Sequence, residues 1–146
     1  KGGRDLYQKN SNLAGVEDVL QADISDKRPM SVSPDGRLLL YSTAQTGQPP
    51  DMWILPLSGD GRPRAFLQTP FAEFGGSFSP DGGWIAYTSN ESGRSEVYVA
   101  PFPGPGGKRQ VSAAGGSAPR WRRDGREIFY IDDDERLTGR GRRGWW

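Results

Sequence analysis

A four-residue element, Ser33-Pro34-Asp35-Gly36, returns as Ser79-Pro80-Asp81-Gly82 and again, altered, as Arg122-Arg123-Asp124-Gly125, with its aspartates 46 and 43 residues apart. A period in the low to mid forties is the length that four strands and their turns occupy in one blade of a β-propeller. The flanking columns keep the same period. Val32, Phe78 and Trp121 stand three residues before each aspartate; Leu39, Ile85 and Ile128 stand four after it, and Tyr41, Tyr87 and Tyr130 stand six after it. In an extended chain positions four and six share a face, while Leu40, Ala86 and Phe129 between them point the other way. Apolar residues on both faces describe a strand held between neighbouring sheets. A second column, Asp5-Leu6-Tyr7, Asp51-Met52-Trp53 and Glu96-Val97-Tyr98, repeats at spacings of 46 and 45.

The Ser-Pro-Asp-Gly element reads as a hairpin turn. Proline presets φ for the second position of a type I turn, Asp fits the third, and Gly takes the left-handed position that follows. Asp35 and Asp81 could instead be read as paired acid/base carboxylates. Each arrives with its own glycine and a following strand, so the turn reading is favoured.

These signals predict an all-β fold, a partial β-propeller of about three blade-equivalents of four-stranded antiparallel sheets. Residues 5–22 read as the last two strands of a half blade. Residues 29–69 form a blade with strands near 30–33, 38–42, 52–55 and 65–68, and residues 75–112 a second with strands near 77–79, 84–89, 96–100 and 108–111. Residues 117–137 hold an incomplete blade, and residues 138–146 a basic tail outside the repeat, expected to be disordered. The column containing Val32 and Phe78 predicts a buried Trp121.

Residue content removes most catalytic chemistry. The chain has no His and no Cys. Ser-His-Asp and Cys-His catalysis, and imidazole or thiolate zinc sites, therefore have no residues to build on. Neither cofactor nor metal is expected, and no catalytic residue is assigned. Gly104-Pro105-Gly106-Gly107-Lys108-Arg109 resembles a phosphate loop superficially, but it lacks the hydroxyl residue after Lys and a following helix. Its Pro and Gly suit an inter-strand loop. Asp132-Asp133-Asp134-Glu135 offers oxygen ligands without the alternating spacing of a calcium loop, and reads as a solvated hairpin tip.

Net charge is +1, so no global field drives the chain onto nucleic acid or anionic lipid. Residues 1–100 carry 9 Lys/Arg against 12 Asp/Glu, and residues 101–146 carry 10 against 6, which places the basic excess at the C-terminal end. Arg120, Arg122, Arg123 and Arg126 around Trp121, with the tail arginines, Trp145 and Trp146, form the one set that could stack on single-stranded nucleic acid. The near-balanced total argues against that use, and no nucleic-acid partner is expected. Nor does any run approach the roughly 18 apolar residues of a membrane helix.

Phe78-Ser79-Pro80-Asp81-Gly82-Gly83-Trp84-Ile85-Ala86-Tyr87, with Ser89-Asn90-Glu91-Ser92-Gly93 and Glu96-Val97-Tyr98-Val99, resembles the TolB-like β-propeller repeat. Pro101-Phe102-Pro103-Gly104, Pro119-Arg120-Trp121 and Arg123-Asp124-Gly125-Arg126-Glu127 are similar to the form of that repeat found C-terminal to bacterial Hanks-type serine/threonine protein kinases. The resemblance implies a ring of about six blades. It further implies a non-catalytic binding or sensing module in a kinase, with an extracytoplasmic location. The alternatives it leaves are a periplasmic TolB-type interaction protein and the gating propeller of a prolyl-oligopeptidase-like serine peptidase. Recognition in such rings lives on loops, here residues 44–50, 90–95 and 102–107, although no single binding residue stands out. Three blades leave strand edges and apolar faces uncovered, so self-association through exposed blade edges is expected.

Overall fold

A computed structural model describes residues 3–12, 14–59, 61–104 and 106–141. Among them are thirteen strands, every neighbouring pair antiparallel, and no helix. The strands form four successive sheets. Sheet I pairs β1 (Leu6–Gln8) with β2 (Asp18–Gln21). Sheet II is a meander of β3 (Asp26–Val32), β4 (Leu38–Ala44), β5 (Asp51–Pro56) and β6 (Arg64–Leu67). Sheet III repeats it with β7 (Glu73–Phe78), β8 (Trp84–Ser89), β9 (Glu96–Pro101) and β10 (Arg109–Gln110). Sheet IV holds β11 (Ser117–Trp121), β12 (Glu127–Ile131) and β13 (Leu137–Gly141).

Each first hairpin closes as the turn chemistry requires. The amides of Gly36, Gly82 and Gly125 donate to the carbonyls of Ser33, Ser79 and Arg122 at 2.9, 2.9 and 2.8 Å, and all three glycines have φ near +70°. Asp35 Oδ1 accepts from Ser33 Oγ at 2.5 Å and from the Arg37 amide at 3.1 Å, while Ser33 Oγ accepts from the Leu38 amide at 3.0 Å. Asp81 with Ser79, Gly83 and Trp84 repeats that arrangement at the same distances. These aspartates brace turns. The Ser33 hydroxyl and then the Arg37 amide hold Asp35 below the usual carboxylate range.

The alternation seen in the sequence resolves into faces. Leu39 and Tyr41 pack with Leu6 of sheet I, Ile85 and Tyr87 with Leu40, Met52 and Ile54 of sheet II, and Ile128 and Tyr130 with Ala86, Val97 and Val99 of sheet III. Positions four and six after the aspartate thus face the preceding sheet, and position five faces the following one. Burying each such side chain contributes about 1.5–3 kcal/mol before conformational entropy is counted, so the three clusters dominate stability. Contacts between sheets concentrate on first strands: β7 lies against β3, β4 and β5, and β11 against β7, β8 and β9. Sheets that meet closely along their first strands and diverge outward are sectors of a wheel.

Two expectations need correction. Val32, Phe78 and Trp121 do not share one environment: Phe78 is buried, Trp121 half-buried and Val32 51% exposed. Among the described residues sheet I offers β3 only β1 and β2, whereas Phe78 packs into a cluster with Leu40, Ile54 and Phe66 of sheet II. Nor is residue 138 the start of a disordered tail. Leu137–Gly141 pairs with Glu127–Ile131 over five positions, because the β12 edge offers free backbone groups whatever side chains the partner carries. Residues 142–146, including Trp145 and Trp146, lie outside the described residues, as does Pro105.

Candidate functional site

The three loops singled out in the sequence fare differently. In loop 90–95, Asn90 Oδ1 accepts the Ala72 amide at 2.9 Å, and Arg94 donates to Glu96 Oε1 at 2.8 Å and to the Ala113 carbonyl at 2.6 Å. This loop ties sheets together. Loop 102–107 sends Phe102 into the core, edge-on to Phe78 at 5.2 Å and under the Arg64 guanidinium at 5.3 Å. Loop 44–50 lends the Pro50 carbonyl to the Glu73 amide at 2.9 Å and leaves the side chains of Gln45, Thr46 and Gln48 exposed.

That loop forms one wall of a cleft of about 480 Å³ lined by Thr43, Gln45, Gln48, Pro49, Asp51, Trp53, Gln68, Thr69 and Pro70. Strand β5 places Asp51 and Trp53 on one face, two residues apart. The Gln68–Pro70 wall is the link from sheet II to sheet III. Trp53 Nε1 is buried and meets no acceptor among the described residues. Burial raises the Asp51 carboxyl, against hydrogen bonds from the Thr69 amide and Gln68. Three glutamine amides, one acid and two prolines suit a polar chain or loop; they offer no nucleophile with a base beside it. Sequence reasoning found the loop and missed Trp53, whose column it used only to fix the repeat period.

The other residues weighed in the sequence do not gather into a site. Asp132 to Glu135 form the β12–β13 turn, in which Asp132 Oδ1 accepts the amides of Asp134 and Arg136 at 3.1 and 2.8 Å. Among the described residues no group of three or more acidic side chains is placed to hold a metal ion. Arg122 pairs with Glu127 at 2.8 Å, and Trp121 Nε1 donates to the Ser77 carbonyl at 3.0 Å, so this basic set is partly spent within the fold. No described helix is long and apolar enough to cross a membrane.

A recurrent irregularity marks the first strands. The ladder to the second strand shifts between Pro29 and Ser31, between Phe74 and Ser77, and between Ser117 and Arg120. Such bulges re-aim side chains and sharpen twist, here at the edge nearest the wheel's axis. Gly75 and Ala118 occupy equivalent bulge positions with φ of +66° and +52°.

Comparison with known proteins agrees with this architecture. No family model matches the chain. Over 100 residues it is 33% identical to the Tol-Pal system protein TolB of Anaeromyxobacter dehalogenans, a match covering 67% of this chain and 22% of the relative. The chain therefore spans about a fifth of the length of that relative. A structure described as a putative TolB from Agrobacterium tumefaciens superposes with a TM-score of 0.78 at 19% identity, over 89% of this chain and 46% of that one. TolB from Acinetobacter baumannii superposes with a TM-score of 0.70 at 19% identity, over 92% and 34%. The chain has the TolB-like β-propeller fold. Four radiating sheets make it a partial propeller, with two sheets of full four-stranded form.

Proposed function

We propose that this chain is the ring-forming part of a TolB-type interaction protein that works outside the cytoplasm, binds a partner protein and carries out no chemistry. The observation that carries this reading is the 33% identity over 100 residues to a Tol-Pal system protein, reinforced by TolB structures among its structural neighbours. The residue content agrees: a chain without His or Cys, in which Asp35, Asp81 and Asp132 brace turns and Glu73 and Glu96 sit at sheet joints, is built to hold a shape. The kinase-linked sensor favoured by the sequence finds no support in these relatives, whose names are TolB.

On this reading the cleft at Asp51 and Trp53 takes a polar segment of the partner, with the exposed side-chain amides of Gln45 and Gln48 donating to its backbone carbonyls. The test is cell fractionation of the full-length gene product, followed by co-isolation with Tol-Pal components. Recovery in the periplasmic fraction with those components supports the reading, and replacing the exposed Gln45 and Gln48 with Ala should lower that recovery without changing the fold. Recovery in the cytoplasmic fraction would overturn it.

A further inference from the structure

The three sheet joints share a third-strand acid and fasten it differently. At the I–II joint Asp5 lies 3.7 Å from the ammonium of Lys27, which also meets Asp23 at 2.7 Å and is wholly buried. At the III–IV joint Glu96 accepts from Arg94 Nε at 2.8 Å. The chain thus brings a cation to this acid from two places. One is near the start of the following sheet's first strand, and the other is the loop position two residues before the acid. At the II–III joint those places hold Glu73 and Pro49. Asp51 is left with the Thr69 amide and the Gln68 side chain as donors, and no cation acts on it among the described residues. We propose that the cleft at this joint binds an organic ammonium, the side chain of a lysine on a partner segment, with Asp51 as its counter-charge.

A second observation points to a ligand. Glu73 is 1% exposed; its Oε1 takes the Thr69 hydroxyl of the cleft wall, and its Oε2 meets no donor among the described residues. A buried carboxylate oxygen without a partner costs free energy, which a positive charge close by offsets. The charges around Glu73 are Asp51 of β5, Glu91 of loop 90–95 and Lys108 ahead of β10, and Lys108 is already engaged by Glu91. Burial raises the Asp51 carboxyl, and burial and then Asp51 and Glu91 work against the charge on Glu73. An ammonium at Asp51 favours the charged form of both acids.

Access and size agree. Asp51 lines the cleft beside the exposed Gln45 and Gln48, so an ammonium reaches it from solvent while Glu73 acts from behind Thr69 through its charge alone. Among the described residues no group of three or more acids is placed to hold a metal ion. The compact charge of a lysine is what the I–II joint already accommodates beside Asp5 and Asp23.

The inference rests on the reading of this cleft as a contact surface; its test uses the whole chain with a small probe, so it is decided separately from the co-isolation described above. In an NMR titration of the isotope-labelled protein, a capped five-residue peptide of glycine and serine with one central lysine should shift the amide signals of Asp51, Gln68 and Thr69 saturably. It should bind at least about tenfold more tightly than the same peptide with norleucine at its centre. Equal affinities, or shifts confined to other residues, would overturn the proposal. So would calcium chloride producing the same shifts at lower concentration than the peptide. Asp51→Asn keeps an acceptor for the Thr69 amide and removes the charge, and should lower the affinity for the lysine peptide at least about tenfold; an unchanged affinity would overturn the assignment. Glu73→Lys supplies from within the ammonium that Lys27 supplies at the I–II joint, and should abolish peptide binding while the amide spectrum of sheets II and III stays folded. Peptide binding retained by that folded variant would count against the proposal. Should Glu73→Lys fail to fold, the Asp51→Asn comparison decides the case alone.

Discussion

The joint between sheets II and III and the joint between sheets III and IV are each built around a buried glutamate, and the two solve the burial of a charge in opposite ways. Glu96, at the III–IV joint, accepts from Ser112 Oγ, from the Gly115 amide at 3.0 Å and from Arg94 Nε at 2.8 Å. Burial works against its charge, but those donors outweigh it and hold the carboxyl below its usual range. Glu73, at the II–III joint, accepts from the Thr69 hydroxyl, while its second oxygen is buried with no partner among the described residues. Burial first, then Asp51 and Glu91, push its carboxyl upward. At the I–II joint the position of Glu73 holds Lys27, a buried cation 2.7 Å from Asp23. A propeller needs only that neighbouring sheets be fastened at this radius. The repeat brings a third-strand acid, Asp5, Asp51 or Glu96, to each joint and leaves open the charge of the first-strand residue near it, Lys27 at one joint and Glu73 at the next.

The largest effect should come from cutting the saturated joint. Glu96→Gln replaces a charged acceptor of three hydrogen bonds with a neutral amide whose NH2 turns a donor towards donors. A loss on the order of 3 kcal/mol in urea unfolding is expected at neutral pH. Because the folded carboxyl lies below its usual range, Glu96 contributes its stability above that range and loses it as pH falls through the folded value. The gap between wild type and variant should therefore narrow on acidification. A constant gap from neutral pH to about pH 3 would remove the charge from the explanation.

The bulges offer a second contrast. Gly75 and Ala118 adopt the same left-handed backbone, which favours glycine by about 1 kcal/mol. Ala118→Gly should stabilise by up to about that amount and Gly75→Ala should destabilise by a similar one, since a methyl at Gly75 meets nothing closer than Thr88 Oγ1 at 3.6 Å. Equal and opposite shifts in thermal midpoint would make the cost one of backbone alone. Unequal shifts would show that the joint beside β11 contributes too.

A further contrast lies between Phe78 and Trp121, which share a column and differ in their hold on the preceding sheet. Trp121→Phe forfeits the hydrogen bond to the Ser77 carbonyl and keeps most of the ring contact. About 0.5–1.5 kcal/mol should be lost. Loss of the whole domain's cooperativity instead would show that this bond organises sheet IV.

The fold was legible because its signals are local and repeated. Turn glycines at φ near +70°, alternating apolar faces and recurring tyrosines are all set within one blade, so each repeat confirms the others. What escaped depends on neighbours in space. Val32 looks identical in kind to Phe78 until its neighbours are seen: Phe78 joins the cluster shared by sheets II and III, and Val32 is left exposed. Trp53 looks like any core aromatic until its indole nitrogen is found without an acceptor. Residues 137–141 carry no strand signal in Thr138-Gly139-Arg140, yet an open β12 edge recruits them. Propensity was overridden there by backbone pairing.

The smallest predicted effect is the sharpest in sign. Glu73→Gln keeps the shape, keeps an acceptor for the Thr69 hydroxyl and removes a charge that burial disfavours. Since the folded carboxyl lies above its usual range, the folded protein binds more protons than the unfolded chain between those two values, and Glu73 costs stability as pH rises through that window. The variant should therefore match or exceed wild type at neutral pH, by less than about 1 kcal/mol, and lose that advantage by about pH 3, where the acid is neutral in both states. This is the reverse of Glu96→Gln along the same axis. Parallel melts of the two variants across pH would then diverge in one direction and converge in the other. If Glu73→Gln instead destabilised most at neutral pH, Glu73 would be charged and satisfied in the folded protein, and the two joints would be chemically alike.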